Sequence, residues 1–184
     1  MEKSLENLKL SSLISEEQIK KRLSVLGTEI TKKFQAKKDD APVVAVGVLK
    51  GSFLFYADLI RAIDLDLICD FCGTSSYGDS ASSSGEVRLT MDLQTAVKGK
   101  DVLIIEDIVD TGLTMNFLKK HLASKGPRSV TTAAFLFKPG ALKEECPIDY
   151  VGFEVGNEFV VGYGLDYQGY FRQLPYVARV ENMN

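Results

Sequence analysis

The sequence predicts an α/β domain with a mainly parallel central sheet flanked by helices. Two observations carry that expectation. Short β-branched runs, VVAVGVL (43–49) and VTTAAFLF (130–137), are apolar at successive positions, as in strands covered on both faces. Segments with apolar residues at helical spacing alternate with such runs, the pattern of a parallel sheet with crossover helices. The 184 residues, with 45% hydrophobic and 26% charged side chains, show no internal repeat, long linker or second composition zone, so a single domain spanning 1–184 is expected.

Taken in order, the first element is a helix. Ser15 with Gln18 forms a capping-box start, and Ile19, Leu23, Leu26, Ile30 and Phe34 recur at helical spacing before KKDDAP ends the pattern. VVAVGVL reads as a buried strand that breaks at KGS, followed by a helix over FLFYADLIRAI (53–63) and a strand over LDLICDF (65–71). The next stretch, GTSSYGDSASSSGE (73–86), holds six serines and three glycines and is expected to be a loop, either a functional lid or disordered. VRLTMDL (87–93) follows, then VLIIEDIVDTGLTM (102–115), an apolar run entering three acids and a loop of small hydroxyl residues, with a helix expected over Met115–Ser124. VTTAAFLF, YVGFEV (150–155) and EFVVGYGLDY (158–167) complete the pattern, the last carrying glycines and an acid where a plain strand would not.

Net charge is −3 with a pI near 5.3, without the basic surplus of a dedicated nucleic-acid binder. No run reaches the ~18 apolar residues a membrane helix needs, and the N-terminus lacks the apolar core of a signal peptide, so neither nucleic acid nor membrane is an expected partner and the cytoplasm is the expected location. Three cysteines do not make a complete disulfide framework. Cys69 and Cys72 have C-x-x-C spacing, but on a strand positions i and i+3 face opposite sides. His121, the single histidine, is read as a surface or packing residue.

The chemistry concentrates at 106–114. A strand running through a small-residue loop into a helix offers free N–H groups and a positive dipole end to an anion. A Walker loop would need a lysine, and none lies between Val102 and Leu118; a dinucleotide fingerprint would need three spaced glycines, and Gly112 stands alone. The acids beside the loop must therefore address something other than the phosphate. Carboxylates bind sugar hydroxyls and hard cations such as magnesium. A pentose 5-phosphate satisfies both halves: Thr111, Gly112 and Thr114 for the phosphate, Glu106 and Asp107 for the sugar hydroxyls, Asp110 left for chemistry. The alternative for Asp110 is a helix N-cap.

VLIIEDIVDTGLTM resembles the phosphoribosyl-diphosphate motif of type I phosphoribosyltransferases. VGVLKGSFLFYADLIR (46–61), SSYG (75–78), FLFKPG (135–140) and FVVGYGLDYQGYFRQLPYV (159–177) resemble the 6-oxopurine branch of that family, the hypoxanthine and hypoxanthine-guanine phosphoribosyltransferases, in the expected order. The resemblance implies the type I fold, with a hood from the N-terminal segment and about 156–184 and a lid loop over about 73–90. It implies purine salvage: transfer of the phosphoribosyl group from phosphoribosyl diphosphate to hypoxanthine or guanine, giving a nucleoside monophosphate and pyrophosphate, with Mg2+ as cofactor and a homodimer or homotetramer as the assembly. By the same resemblance Glu106, Asp107, Ile108, Val109, Asp110, Thr111, Gly112, Leu113 and Thr114 bind phosphate and ribose, with Asp110 the general base near purine N7. Leu113 stands where some relatives carry a lysine or arginine. Lys138, Phe159, Val160 and Asp166 would hold the purine, Lys138 through its 6-oxo group and Phe159 by stacking. Lys50, Gly51 and Arg172 would hold pyrophosphate, in a loop whose Leu49–Lys50 peptide is commonly cis in the family, although the sequence does not show the isomer. Glu106, Asp107 and Asp166 would bind metal, and Ser76 and Tyr77 would belong to the closing lid. A regulator that binds phosphoribosyl diphosphate without catalysis, and an enzyme preferring xanthine, are the competing readings.

Overall fold

A computed structural model describes residues 8–37, 41–76 and 87–181. The chain runs β1 (Leu10–Ile14), α1 (Glu16–Gln35), β2 (Val43–Leu49), α2 (Phe53–Ala62), β3 (Leu67–Ser76), β4 (Val87–Met91), β5 (Asp101–Val109), α3 (Leu113–Ser124), β6 (Ser129–Phe137), β7 (Tyr150–Glu154), β8 (Val160–Val161) and β9 (Val177–Val180). Six strands form the central sheet in the order β4-β3-β2-β5-β6-β7. All neighbours in it are parallel except β4, which pairs antiparallel with β3. A separate antiparallel sheet, β1-β9-β8, joins the two ends of the chain.

The buried runs are strands because each face of the sheet has its own cover. Along β2, Val43 and Ala45 pack with Ile30 and Phe34 of α1 and Phe55 and Leu59 of α2. Val44, Val46 and Val48 point the other way, toward Met115, Leu118 and Leu122 of α3. The period-2 alternation is thus present but hidden, since both faces want apolar residues. Helix α1 begins at the expected capping box, Ser15 Oγ accepting from Gln18 N and Gln18 Oε1 from Ser15 N.

Several expected boundaries shift. The third strand runs on to Ser76 and pairs with β4, so the segment read as irregular from residue 73 is extended backbone for its first four residues; Tyr77 lies outside the described residues. The stretch 158–167 keeps only Val160–Val161 as strand, because Gly162, Tyr163 and Gly164 take positive φ and turn the chain. Helix α3 starts at Leu113, two residues ahead of the expected Met115.

This topology places the site. From β2 the chain crosses to β3 on one side, while β5, β6 and β7 step away on the other. At such a reversal the loops leaving neighbouring strand ends diverge and open a crevice. Here it lies between the C-terminal ends of β2 and β5, where Leu49 leads into Lys50-Gly51 and Val109 into Asp110.

Candidate active site

A cleft of about 690 Å³ opens at these strand ends. Its walls include Lys50 and Gly51 after β2, Glu106, Asp107, Asp110, Thr111, Leu113 and Thr114 around β5 and α3, and Asp166 and Arg172 from the C-terminal turns.

Gly112 caps α3 with φ of +80°, a backbone state that suits glycine, and a Cβ there would come within 2.9 Å of Cys146 Cβ. Among the described residues no side chain caps this helix, so its first N–H groups can serve a ligand. Asp110 is therefore not the N-cap. Its carboxylate accepts from Thr111 N, and the side chain stands exposed at the cleft.

Glu106 and Asp107 sit deeper. Glu106 is only 6% exposed, its Oε1 accepting from Asp107 N at 3.3 Å, while Oε2 is buried without a hydrogen-bond partner among the described residues. Burial, and then the neighbouring Asp107 charge, push the Glu106 carboxyl well above the usual carboxylate range. Burial raises Asp107 as well, against the opposing bonds from its neighbours and the Arg172 charge. Two adjoining acids that resist simultaneous ionisation suit positive charge or hydroxyl donors. A hard divalent cation fits the orphaned oxygen and its partner acid.

Gly51 is required by contact. A Cβ there would lie 1.5 Å from Asp107 Oδ2, so the Lys50-Gly51 loop closes directly on the acidic pair. The Leu49–Lys50 peptide, whose isomer the sequence leaves open, is cis. Gly164, with φ of +99°, rests on the same loop; a Cβ would fall 2.0 Å from the Gly51 carbonyl oxygen. Arg172 donates to the Gly164 carbonyl at 2.6 Å and pairs with Asp166 at 2.5 Å, while the other Asp166 oxygen accepts from Gly169 N. Asp166 thus shares the cleft with Glu106 and Asp107, yet both its oxygens are engaged. Among the described residues no group of three acids, histidines or cysteines gathers as a ready metal cage.

Lys138 follows β6 and is tied to β5 through its N–H to the Val109 carbonyl, 2.9 Å, one residue before Asp110. Its ammonium donates to the Glu158 carbonyl at 2.7 Å, beside Phe159 and Val160. Phe159 is 39% exposed and meets Tyr167 edge-on at 5.9 Å, whereas Val160 is buried in β8. These three form a second group adjoining the cleft. Ser76 ends β3, whose Thr74 lines the cleft.

Sequence reasoning missed Lys143. Its N–H donates to the Thr111 carbonyl at 3.0 Å, which brings the residue to the wall of the cleft near the start of α3. No spacing signal marks a residue carried there by a distant backbone contact. Cys69 is exposed and Cys72 buried on the α3 side of β3, and burial pushes the Cys72 thiol up to about 12, so the two sulfurs diverge.

A phosphoribosyl transferase domain family model matches residues 15–168. Hypoxanthine-guanine phosphoribosyltransferase of Dictyostelium discoideum is 46% identical over 172 residues, 92% of this chain and 94% of that protein. The enzyme of the same name from Bacillus subtilis is 48% identical over 166 residues, 90% of each chain. The crystal structure of a hypoxanthine phosphoribosyltransferase from Staphylococcus aureus superposes with a TM-score of 0.88 at 40% identity, covering 100% of both chains.

Proposed function

The chain belongs to the phosphoribosyltransferase family, and from that premise we propose that it is a purine salvage enzyme, transferring the 5-phosphoribosyl group from phosphoribosyl diphosphate to hypoxanthine or guanine with release of pyrophosphate. The observation that carries this reading is the paired acids Glu106 and Asp107 lying between an uncapped helix N-terminus and the Lys50-Gly51 loop. That order matches a ligand with a phosphate at one end, hydroxyls in the middle and a pyrophosphate at the other.

In this reading the 5-phosphate takes the N–H groups of Thr111 to Thr114 at the start of α3. Glu106 and Asp107 accept from the ribose hydroxyls and would hold Mg2+, with Asp166 on the pyrophosphate side. The cation would offset charge on the departing pyrophosphate. Lys50, Gly51 and Arg172 hold that pyrophosphate, Arg172 through its fork of donors. Phe159 stacks on the purine, Val160 reads its edge through the backbone, and Lys138 donates to the 6-oxo group, which disfavours adenine. As the bond from the anomeric carbon to pyrophosphate breaks and that carbon bonds to N9, the purine gives up its N7 proton to Asp110. An exposed carboxylate at this point also steadies positive charge developing on the sugar.

The three-stranded sheet β1-β9-β8 serves as the hood over the base, and the loop containing Ser76 and Tyr77 as a lid, within a single domain. Among the described residues no helix is long and apolar enough to cross a membrane. The proposed setting is the cytoplasm and the proposed assembly a homodimer or homotetramer.

The test is nucleotide formation from phosphoribosyl diphosphate, Mg2+ and each of hypoxanthine, guanine, xanthine and adenine. Turnover with hypoxanthine or guanine, lost on chelation, is expected. Tight binding of phosphoribosyl diphosphate without turnover of any base would overturn the enzymatic reading.

A further inference from the structure

We infer that Asp58 and Tyr163, neither of which faces the cleft, act as a positioning pair that holds the two halves of the pyrophosphate site in register; the inference rests on the reaction proposed above. Tyr163 Oη donates to Asp58 Oδ2 at 2.7 Å, across 105 positions of sequence. Each partner belongs to a different half. Asp58 lies on α2, the helix that begins directly after Lys50-Gly51. Tyr163 lies in the turn between β8 and β9, one residue before Gly164.

From Tyr163 the contacts lead straight to the charged groups. The Gly164 N–H donates to the Arg172 carbonyl at 2.9 Å. Its own carbonyl accepts from the Arg172 guanidinium at 2.6 Å. Its Cα side presses on the Gly51 carbonyl so closely that no Cβ fits. The pyrophosphate arginine and the pyrophosphate loop therefore meet at Gly164, and the side chain that anchors this turn to α2 is Tyr163.

Packing seats the Tyr163 ring, which is 5% exposed and 4.7 Å from the Phe135 ring, and the bond to Asp58 fixes its phenol tip. Tyr163 holds φ of +48°, an uncommon state for a bulky residue that the surrounding contacts must maintain. The pair also borders a cavity of about 200 Å³ lined by Ile19, Leu54 and Pro175, so the phenol tip has room to move once its bond is removed. Burial, and then the bond to Asp58, raise the Tyr163 phenol far above its ordinary value, which keeps it a donor at any working pH.

Steady-state kinetics in both directions test the pair in the intact protein, alongside thermal unfolding to confirm folding. Tyr163→Phe and Asp58→Ala should raise KM for pyrophosphate and for phosphoribosyl diphosphate about fivefold, a fraction of what a charge-assisted hydrogen bond can transmit. KM for hypoxanthine and for IMP should stay within about twofold of the unsubstituted enzyme. Asp58→Asn, which keeps an acceptor for the phenol, should restore most of the loss. The double variant Tyr163→Phe with Asp58→Ala should be no worse than either single one. If Tyr163→Phe fails to fold, the contrast between Asp58→Ala and Asp58→Asn decides alone. Unshifted KM values, or all four KM values rising together, would overturn the inference while leaving the reaction intact. Absence of turnover in the unsubstituted protein would overturn both.

Discussion

Glu106 keeps one carboxylate oxygen out of water with no hydrogen-bond partner among the described residues, beside a second acid whose ionisation burial also resists. Such a group costs the free protein stability, because an unpartnered buried polar atom forfeits its hydration. Glu106→Gln keeps a polar atom there but removes the buried charge that opposes Asp107, so it should stabilise the ligand-free protein, by about 1 kcal/mol in urea unfolding, while raising KM for phosphoribosyl diphosphate. Loss of both stability and binding would mean that the carboxylate is structural. Asp110 sits in the contrary setting, exposed, its carboxylate accepting from Thr111 N. Asp110→Asn should leave the unfolding midpoint in place and lower kcat by about a hundredfold or more, the range of a lost general base. Both acids were legible in the sequence, since the local pattern of strand, acids and small hydroxyl residues already marks where a phosphate and a sugar can sit. Lys143 was not, because a carbonyl contact to Thr111 from another loop brings it to the cleft. Asp58 and Tyr163 were hidden for the same reason.

Elements with two covered faces were the easiest to read. VVAVGVL is β2 from end to end, and β6 differs from its expected span by one residue, because continuous apolar runs bounded by turn residues leave few alternatives. β1 and β9 went unrecognised: they are short, and their register joins Leu10 to Val180, a pairing no local window contains. The turn after β8 shows the opposite failure, an apolar run whose glycines overrule its strand propensity. Gly164 tests that element directly. Gly164→Ala combines an unfavourable φ of +99° with a Cβ 2.0 Å from the Gly51 carbonyl oxygen. The substitution should cost more than about 2 kcal/mol in unfolding and should impair pyrophosphate turnover more than purine binding. Gly99→Ala is the contrast: its φ of +72° is similarly unfavourable, but a Cβ there meets nothing within 4 Å. It should cost about 1 kcal/mol with kinetics unchanged, separating backbone strain from the close approach at the site.

Across the whole molecule the two ends of the central sheet do different work. At the C-terminal ends of the strands, charges are left poorly satisfied and open to the cleft. At the opposite end, Asp101 opens β5 with a side chain 1% exposed and fully engaged. Lys37 reaches it at 2.8 Å, Arg128 Nε at 3.0 Å, and the Ser129 hydroxyl also donates to it. Burial alone would raise this carboxyl, but the bonds from Arg128, Lys37 and Ser129 outweigh it and hold the group well below its ordinary 3.8. The unfolded chain then binds more protons than the folded one between those two values, so stability increases with pH across that window. The contribution is fully present above the unfolded value and is lost as pH falls through the folded one. Thermal midpoints measured from about pH 6 down to about pH 2.5 should accordingly drop below about pH 4. Asp101→Asn should lower the midpoint at neutral pH, by the equivalent of about 3 kcal/mol for a broken buried pair, and flatten the acid slope. Asp92, held at about 2 by Lys125 and His121 against the effect of burial, leaves a smaller residual slope, because its side chain is 41% exposed and water screens its pairs. An acid slope unchanged by Asp101→Asn would move the acid sensitivity away from the start of β5. Activity per folded molecule should be the same in this variant, because the pole that stabilises the sheet is not the pole where the proposed substrate site lies.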